Sequence, residues 1–364
     1  MSGIEANAMI EIRRTGLTGG PRVFAVANIR RGTRLAAESP LITVPPIPEN
    51  DELPELCKAI DKLPDANATE LANIFCPSSI IEPLRTDLRV RNTVWAHYKA
   101  KKWKDDDSGH VLSQGPSRRK LVRRTTNLCV KFLVTSVQLG PSGKYGSGVF
   151  PIHSRIGHSC EPNAHNAWNP TIQRLTLHAT RDIRAGEEVC VDYTANVCRT
   201  RRQRAFVLLS SWGVNCRCAA CTQPAVEKLR HRMLVIDGAL AAYACGASSD
   251  PKFALKYGVP SVTTPAQALR AAEELVQLLR KQRLYGMELC RTFRECSKYA
   301  LDSGIFDKAL QYAQKELELE RLLIGTDTEY LRGDLYGAEC WIKSVRERTS
   351  HRPNAGYSYC QVGE

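Results

Sequence analysis

Long apolar runs are missing from this chain of 364 residues. No segment approaches the ~20 consecutive apolar residues that a membrane-spanning helix requires, so the sequence predicts no membrane span and no membrane partner. Residues 1–14 contain two acidic side chains and lack the apolar core of a secretory leader. We therefore expect a protein of the cytosol, the nucleus or both.

Acidic residues are comparatively few, since 38 Asp and Glu stand against 51 Lys and Arg and leave a formal net charge of +13. Two segments, residues 118–124 and 199–204, concentrate the excess. A basic surface attracts acidic partners such as nucleosomes or nucleic acid. Solvated helix faces are the alternative, which the lack of aromatic residues within both segments favours. Segment 118–124 also fits a weak nuclear-import signal.

Disulfides are not expected, because a reducing compartment keeps the 14 cysteines as thiols or metal ligands. Most of the cysteines are scattered and are typical of small buried core residues. Cys216, Cys218 and Cys221 stand together, and three thiolates at this spacing can occupy one side of a tetrahedral zinc ion. The alternatives are a chance cluster and a redox pair, although no thioredoxin-like βαβ pattern surrounds the segment.

The order of predicted elements in the first 222 residues is strands, helices and again strands, which favours an α+β fold. β-rich runs predict strands at 23–26, 41–44, 175–177 and 189–193. Between them, apolar residues at helical spacing predict a helical insertion at about 48–137. The polar residues 104–109 predict an exposed loop inside this insertion.

Beyond Pro224 the sequence pattern is helical, which predicts an all-helical domain over residues 225–350. Candidate helices are 225–244, 265–283, 286–303, 305–323 and 327–347. Thr264 followed by Pro265 is a favourable helix start. After Gly304, small and large residues follow the spacing of a helical hairpin, which faintly resembles a tetratricopeptide unit.

The most specific signal is carried by Arg155-Ile156-Gly157-His158-Ser159-Cys160-Glu161-Pro162-Asn163 and Gly186-Glu187-Glu188-Val189-Cys190-Val191-Asp192-Tyr193. With the three later cysteines, these segments resemble the core of a SET domain of the SMYD-like and fungal groups. The resemblance covers about residues 15–45 and 145–222. It implies a SET-type fold of short sheets over residues 8–222, and methyl transfer from S-adenosylmethionine to a lysine amine.

The resemblance also implies a structural zinc site in a post-SET segment at 212–222. Such proteins close the site with the cysteine of an Asn-His-Ser-Cys motif, which is Cys160 here, so Cys160, Cys216, Cys218 and Cys221 become the expected ligands. A MYND finger is not expected, because residues 46–137 hold too few cysteines and histidines.

Tyr193 is the catalytic residue that the resemblance implies, with its hydroxyl beside the sulfonium and the incoming amine. Methyl transfer is an in-line displacement on carbon, so alignment and electrostatics are the main tasks of the protein. Tyr145 and Phe150 are candidates, with Tyr193, for the walls of a substrate channel. The resemblance places the backbone of His158 against the adenine and leaves its imidazole packed. Without the motif, a tyrosine at a strand end is typical of a core residue.

Three cofactor-binding positions depart from the family pattern. The segment Gly20-Pro21-Arg22 has an arginine in place of the second glycine of Gly-x-Gly, and Gly157 replaces an asparagine that hydrogen-bonds the cofactor. Val214 replaces the aromatic residue that stacks on adenine, although Trp212 is close enough in sequence to substitute. These changes predict weakened or lost cofactor binding.

The sequence thus favours a methyltransferase acting on protein lysine and leaves two alternatives open. One is a SET fold redirected to a hydrophobic small molecule in secondary metabolism, such as a cyclase or pericyclase. The other is a non-catalytic binding module that uses the basic surface and the C-terminal helices.

Overall fold

The computed structural model describes residues 4–6, 9–15, 20–47, 52–100, 118–194, 196–246, 262–331 and 337–350. The chain divides into two compact units. The first comprises Met1–Arg230 and Leu322–Gly325, and the second comprises His231–Arg321 and Thr326–Glu364. The domain boundary that the sequence places at 222–225 stays a prediction.

Short strands of the first unit form four small sheets. They are β1 (Ile4–Ala6), β2 (Ile10–Arg14), β3 (Pro21–Ala25), β4 (Arg34–Glu38), β5 (Ile42–Val44), β6 (Val137–Gln138), β7 (Ser147–Val149), β8 (Gly157–His158), β9 (Ala164–Asn169), β10 (Arg174–Ala179) and β11 (Cys190–Val191). The sheet orders are β1-β4-β10-β9, β2-β3, β5-β7-β6 and β11-β8. Only the last pair is parallel among these described strands.

The predicted helical insertion lies between β5 and β6. Its helices are α1 (Leu53–Asp61), α2 (Asp65–Asn73), α3 (Ser78–Thr86), α4 (Leu88–Ala100) and α5 (Arg118–Thr135). Leu53, Leu56 and Ile60 are buried on one face of α1, as their helical spacing requires. They join a core that includes Phe132 and Val149, so the insertion packs on the β5-β7-β6 sheet. The loop predicted at 104–109 lies outside the described residues.

The helices after β11 are α6 (Arg201–Trp212), α7 (Ala219–Thr222), α8 (Pro224–Ala244), α9 (Pro265–Lys281), α10 (Met287–Asp302), α11 (Phe306–Ile324) and α12 (Ala338–Ser350). Thr264 caps α9 as predicted, because its side chain accepts a hydrogen bond from the Gln267 amide. The helix predicted over 327–347 begins later than predicted. Glu329–Leu331 form a 3-10 turn, and α12 begins only after Gly337, whose carbonyl accepts from the Trp341 amide.

Small buried residues let the helices of the second unit approach closely. Ala309 and Ala313 are fully buried in α11. Ser297 of α10 donates a hydrogen bond to the Ala309 carbonyl at 2.7 Å and accepts one from the Trp341 indole at 2.9 Å. This explains the alternation of small and large residues after Gly304, while the likeness to a tetratricopeptide unit stays a prediction.

We expect Gly146→Ala to lower the free energy of unfolding by about 3 kcal/mol or more, because strain adds to a clash. Gly146 has φ of +87°, and an added Cβ would lie 2.0 Å from the Val44 carbonyl oxygen, where β5 meets β7. Gly186→Ala is the matched control, since Gly186 has φ of +79° with no atom within 4 Å. Urea unfolding measures both, and equal losses would contradict the clash.

Candidate functional site

The parallel pair β8–β11 brings together the two segments whose motifs resemble a SET domain, residues 155–163 and 186–193. Gly157 lies opposite Cys190 and His158 opposite Val191. The buried Asn163 side chain reinforces the pairing, since it donates to the Glu188 carbonyl and accepts from the Cys190 amide, both at 2.8 Å. In a parallel pair both carboxyl ends point the same way. Residues that follow each strand therefore emerge at one edge.

Tyr193 follows β11 and is held by several contacts. Its amide donates to Nδ1 of His158 at 3.1 Å, and its hydroxyl donates to the Ile156 carbonyl. Its ring lies 5.4 Å from that of Trp212, centroid to centroid. Burial raises the pKa of Tyr193 to about 12, with the Arg22 charge acting in the opposite direction. The hydroxyl is therefore protonated at neutral pH and fixed in orientation.

A cavity of about 250 Å³ opens beside Tyr193. Of the residues predicted from sequence, Arg22, Trp212 and Val214 also line it. The remaining wall comes from residues that the sequence reasoning missed, and these are Phe75, Cys76, Pro77, Val134, Thr135, Ser136, Val137, His153, Ser154, Asn166, Val191 and Asp192. Many of these residues belong to the helical insertion. No local motif marks the insertion residues, because folding alone brings the insertion to this edge of the sheet.

His153 contributes a neutral imidazole to the cavity wall. Burial lowers the pKa of His153 to about 4, so the ring carries no charge at neutral pH. Its position is fixed by Glu38, whose carboxylate accepts from the amides of Ile152 and His153 at 2.6 and 2.8 Å. The His153 ring therefore adds a polar but uncharged group to this part of the wall.

Arg22 and Gly157, two positions that depart from the family pattern, lie close together in the structure. An added Cβ at Gly157 would lie 2.4 Å from Oε1 of Glu188 and 3.3 Å from Cδ and Nε of Arg22. Arg22 and Glu188 approach each other to 3.4 Å. The missing side chain at 157 thus leaves room for this ion pair, and a larger residue at 157 requires both side chains to move.

Three predicted cofactor-binding residues, Gly20, Gly157 and His158, are absent from the lining of this cavity. Gly20 packs against Phe75, whose ring would lie 2.5 Å from an added Cβ. The His158 imidazole is fully buried, as expected for a packed ring. Their roles toward a cofactor stay predictions.

Tyr145 and Phe150, the predicted channel walls, lie in a core cluster apart from the cavity beside Tyr193. Phe150 is fully buried, with its ring 6.2 Å from that of Trp168, in a core cluster with Leu139 and Leu175. Tyr145 packs on the same cluster. Neither lines the cavity beside Tyr193. Burial of their apolar aromatic area stabilises this separate core, and a role of either residue toward a substrate stays a prediction.

The four predicted zinc ligands do come together. Their sulfur atoms all lie within 4.8 Å of one another, with Cys160 at 3.5 Å from Cys221 and 4.0 Å from Cys216. Four thiolates around a tetrahedral zinc at ~2.3 Å stand about 3.8 Å apart. Cys160, Cys216, Cys218 and Cys221 are all free of disulfides. This donor set fits a zinc ion.

Two buried arginines supply positive charge beside the thiols. Arg204 is 1% exposed, and its Nε lies 3.2 Å from Sγ of Cys160. Arg230 is fully buried and donates to the Cys160 carbonyl at 2.8 Å. Four thiolates on a divalent zinc carry a net charge of about −2, which two guanidinium groups offset. A surface role for Arg204 in the basic segment 199–204 is therefore wrong.

The helix that carries Trp212 begins with a signal that the sequence contained. Thr200 and Gln203 form a capping box at the start of α6, with reciprocal side-chain-to-backbone hydrogen bonds. A Thr-x-x-Gln pattern is a recognised helix start. It could have predicted α6 and hence the placement of Trp212 at the end of a helix.

The family model described as "SET domain" matches residues 20–194. Residues 20–194 therefore form a SET domain, and the fold is of the α+β class with a helical C-terminal region. In the described part of the chain, no helix combines the length and the hydropathy that crossing a membrane requires.

The chain is similar over part of its length to methyltransferases of other organisms. "Histone-lysine N-methyltransferase set5" of Schizosaccharomyces pombe is 29% identical over 199 residues, which are 52% of this chain and 56% of that protein. "Protein-lysine N-trimethyltransferase SMYD5" of Mus musculus is 37% identical over 79 residues, 21% of this chain and 19% of that protein. The chain thus spans only part of the length of each. The SET domain of LSMT bound to lysine and AdoHcy aligns at 13% identity and a TM-score of 0.34, covering 96% of both chains.

We expect one zinc per chain, and Cys218→Ser should remove it and destabilise the segment after Tyr193, because metal binding stabilises the folded site. Elemental analysis of freshly purified protein measures the metal. Cys245→Ser is the matched control, since Cys245 is an exposed free thiol outside the cluster. Zinc below half an equivalent in the unmodified protein would contradict the site.

Proposed function

We propose that the chain is an S-adenosylmethionine-dependent methyltransferase that acts on a lysine side chain of a protein. The observation that carries the proposal is the cavity, where the Tyr193 hydroxyl stands beside Arg22, Trp212 and Val214. Arg22 and Val214 are two of the positions at which SET proteins hold the cofactor. The names of the relatives, histone-lysine and protein-lysine methyltransferases, support the same class and favour a nuclear protein substrate such as a histone.

The cofactor supplies an electrophilic methyl group on a sulfonium. A lysine that accepts this methyl group would have to be the neutral amine, so its ammonium would first lose a proton to solvent. The apolar wall of Phe75, Pro77 and Val137 and the neutral His153 disfavour a charged ammonium. The Tyr193 hydroxyl donates a hydrogen bond to the Ile156 carbonyl, which leaves the lone pairs of its oxygen free to accept a hydrogen bond from the amine.

Arg22 is the cationic group of the cavity. Among the described residues, Glu188 is its only carboxylate partner within 4.0 Å, at 3.4 Å. The amino-acid end of the cofactor carries a carboxylate, and arginine binds carboxylates through two parallel hydrogen bonds. We therefore assign Arg22 the task that a close backbone approach at glycine performs in other SET proteins. The side chain of Trp212 offers the flat face that Val214 lacks.

Neither alternative function draws support from the relatives, none of which is named as a small-molecule enzyme or as a binding module. The weakened cofactor affinity that the altered positions suggest stays a prediction. A calorimetric titration of the purified chain with S-adenosylmethionine measures it directly. The titration also separates a methyltransferase from a module that binds no cofactor.

We expect Arg22→Gln to weaken cofactor binding about tenfold or more, because a charge-assisted carboxylate contact contributes about 1.5–3 kcal/mol. Arg22→Lys retains the charge and should lose less. Calorimetric titration compares the two. Gly157→Asn alone should bring no gain, since its Cβ meets Glu188. Tighter binding by Arg22→Gln would mean that the arginine blocks the carboxylate site.

We expect Tyr193→Phe to lower kcat about 100-fold or more, while cofactor affinity changes little, because the hydroxyl acts on the amine. Transfer of a tritiated methyl group to core histones measures the rate. Tyr145→Phe is the control, since Tyr145 does not line the cavity. Equal rates for both variants would contradict the assignment.

The rate of the unmodified protein should rise from pH 7 to pH 10 as the substrate lysine loses its proton. Ionisation of Tyr193 should cause no decline over this range, because its pKa is about 12.

A further inference from the structure

A groove of about 630 Å³ crosses the helical insertion, away from the cavity at Tyr193. Helices α3, α4 and α5 line it with Arg85, Leu88, Arg91, Asn92, Trp95, Arg119, Val122, Arg123, Thr126 and Asn127. Four of these residues are arginines, and none is acidic. A neighbouring hollow of about 530 Å³ shares Arg123 and Asn127 and adds Lys120 and Arg124, so the basic surface continues along α5.

The arginines of the groove are largely uncompensated. Within the described part of the chain, Arg91, Arg119 and Arg123 form no ion pair. Arg85 pairs with Glu82 at 2.6 Å, and Arg124, on the neighbouring hollow, pairs with Asp65. Three exposed guanidinium groups without carboxylates around one groove favour an anionic occupant that supplies the missing negative charge.

An aromatic side chain lies among these arginines, although none does so in the sequence. Trp95 of α4 lines the groove and is 48% exposed. The Arg118 guanidinium, at the start of α5, lies 4.7 Å from the centre of the Trp95 ring. A cation on an exposed indole forms a platform on which a nucleobase can stack. The expectation of plain solvated helix faces for residues 118–124 rested on the lack of such an aromatic, and folding supplies one.

We propose that this groove binds a single-stranded nucleic acid, with phosphates on the arginines and an unpaired base on Trp95. Arg119 and Arg123 are one helical turn apart, a rise of about 6 Å. Successive phosphates of one strand are about 3.4 Å apart along the axis of a stacked helix and further apart in an extended single strand, so both arginines can contact one backbone. An acidic peptide matches the charge but leaves the exposed indole without a partner. The proposal is independent of methyl transfer and needs neither cofactor nor Tyr193.

The test uses the full chain and a fluorescein-labelled strand of 20 nucleotides, as DNA and as RNA, in anisotropy titrations between 50 and 200 mM KCl. We expect affinity to fall as salt rises. The double variant Arg119→Gln with Arg123→Gln should weaken binding at least tenfold and reduce the salt slope by about 1.4, since each phosphate contact on a single strand contributes about 0.7. Arg202→Gln, an exposed arginine of α6 outside the groove, should change neither.

Trp95→Leu separates stacking from charge, because leucine retains apolar packing and offers no flat ring. It should weaken binding about tenfold and leave the salt slope unchanged. Thermal unfolding measures whether each variant is folded. If Trp95→Leu is unfolded, Trp95→Phe replaces it. Because phenylalanine keeps an aromatic ring, Trp95→Phe should retain most of the affinity.

Several results would overturn the proposal. One is a dissociation constant for the strand weaker than about 100 μM at 50 mM KCl. Another is a loss of affinity in Arg202→Gln equal to that in the double variant. A third is a complex with poly-glutamate of the same length that is as tight as the complex with the strand. A 20-base-pair duplex that binds as tightly as the single strand, with no effect of Trp95→Leu, would also overturn it. Preference between the DNA and RNA strands decides which nucleic acid the groove accepts.

Discussion

The pairing of β8 with β11 is the constraint on which the candidate site depends. It joins two segments that are about 30 residues apart in the sequence, and the buried Asn163 side chain bonds across it. One consequence is the placement of Tyr193 at the cavity. Another is the placement of Cys160, which leaves β8 toward the three later cysteines. The position of Tyr193 and the position of Cys160 in the cysteine cluster are therefore two outcomes of one pairing.

Charge balance links the cysteine cluster to the cavity. Arg204 lies on α6 and is drawn into the interior by the sulfur atoms of Cys160 and Cys221. That burial fixes the rotation of α6, and α6 ends at Trp212 in the cavity wall. Burial of a guanidinium without anionic partners costs free energy, so removal of the cysteine side chains should destabilise the whole of α6. The cysteine cluster thus supports the cavity wall through α6.

The altered cofactor positions are best understood together. Read singly, an arginine for a glycine and a glycine for an asparagine both suggest decay of a binding site. In the structure the second change makes room for the first, because the Arg22–Glu188 pair lies where a side chain at 157 would be. The proposed contact of Arg22 with the cofactor carboxylate depends on this arrangement, because arginine binds carboxylates through its side chain.

Local patterns in the sequence determined the SET domain, the four cysteines that come together, the helical insertion and the cap at Thr264, because each depends on residues close together or on a motif with fixed spacing. Only the tertiary structure decided that Tyr145 and Phe150 belong to a separate core, that Arg204 is buried, and that Phe75 and His153 line the cavity. It also decided that Trp95 stands beside the basic start of α5. These facts depend on which distant elements pack together, and packing is set by the burial of whole faces, which no short stretch of sequence contains.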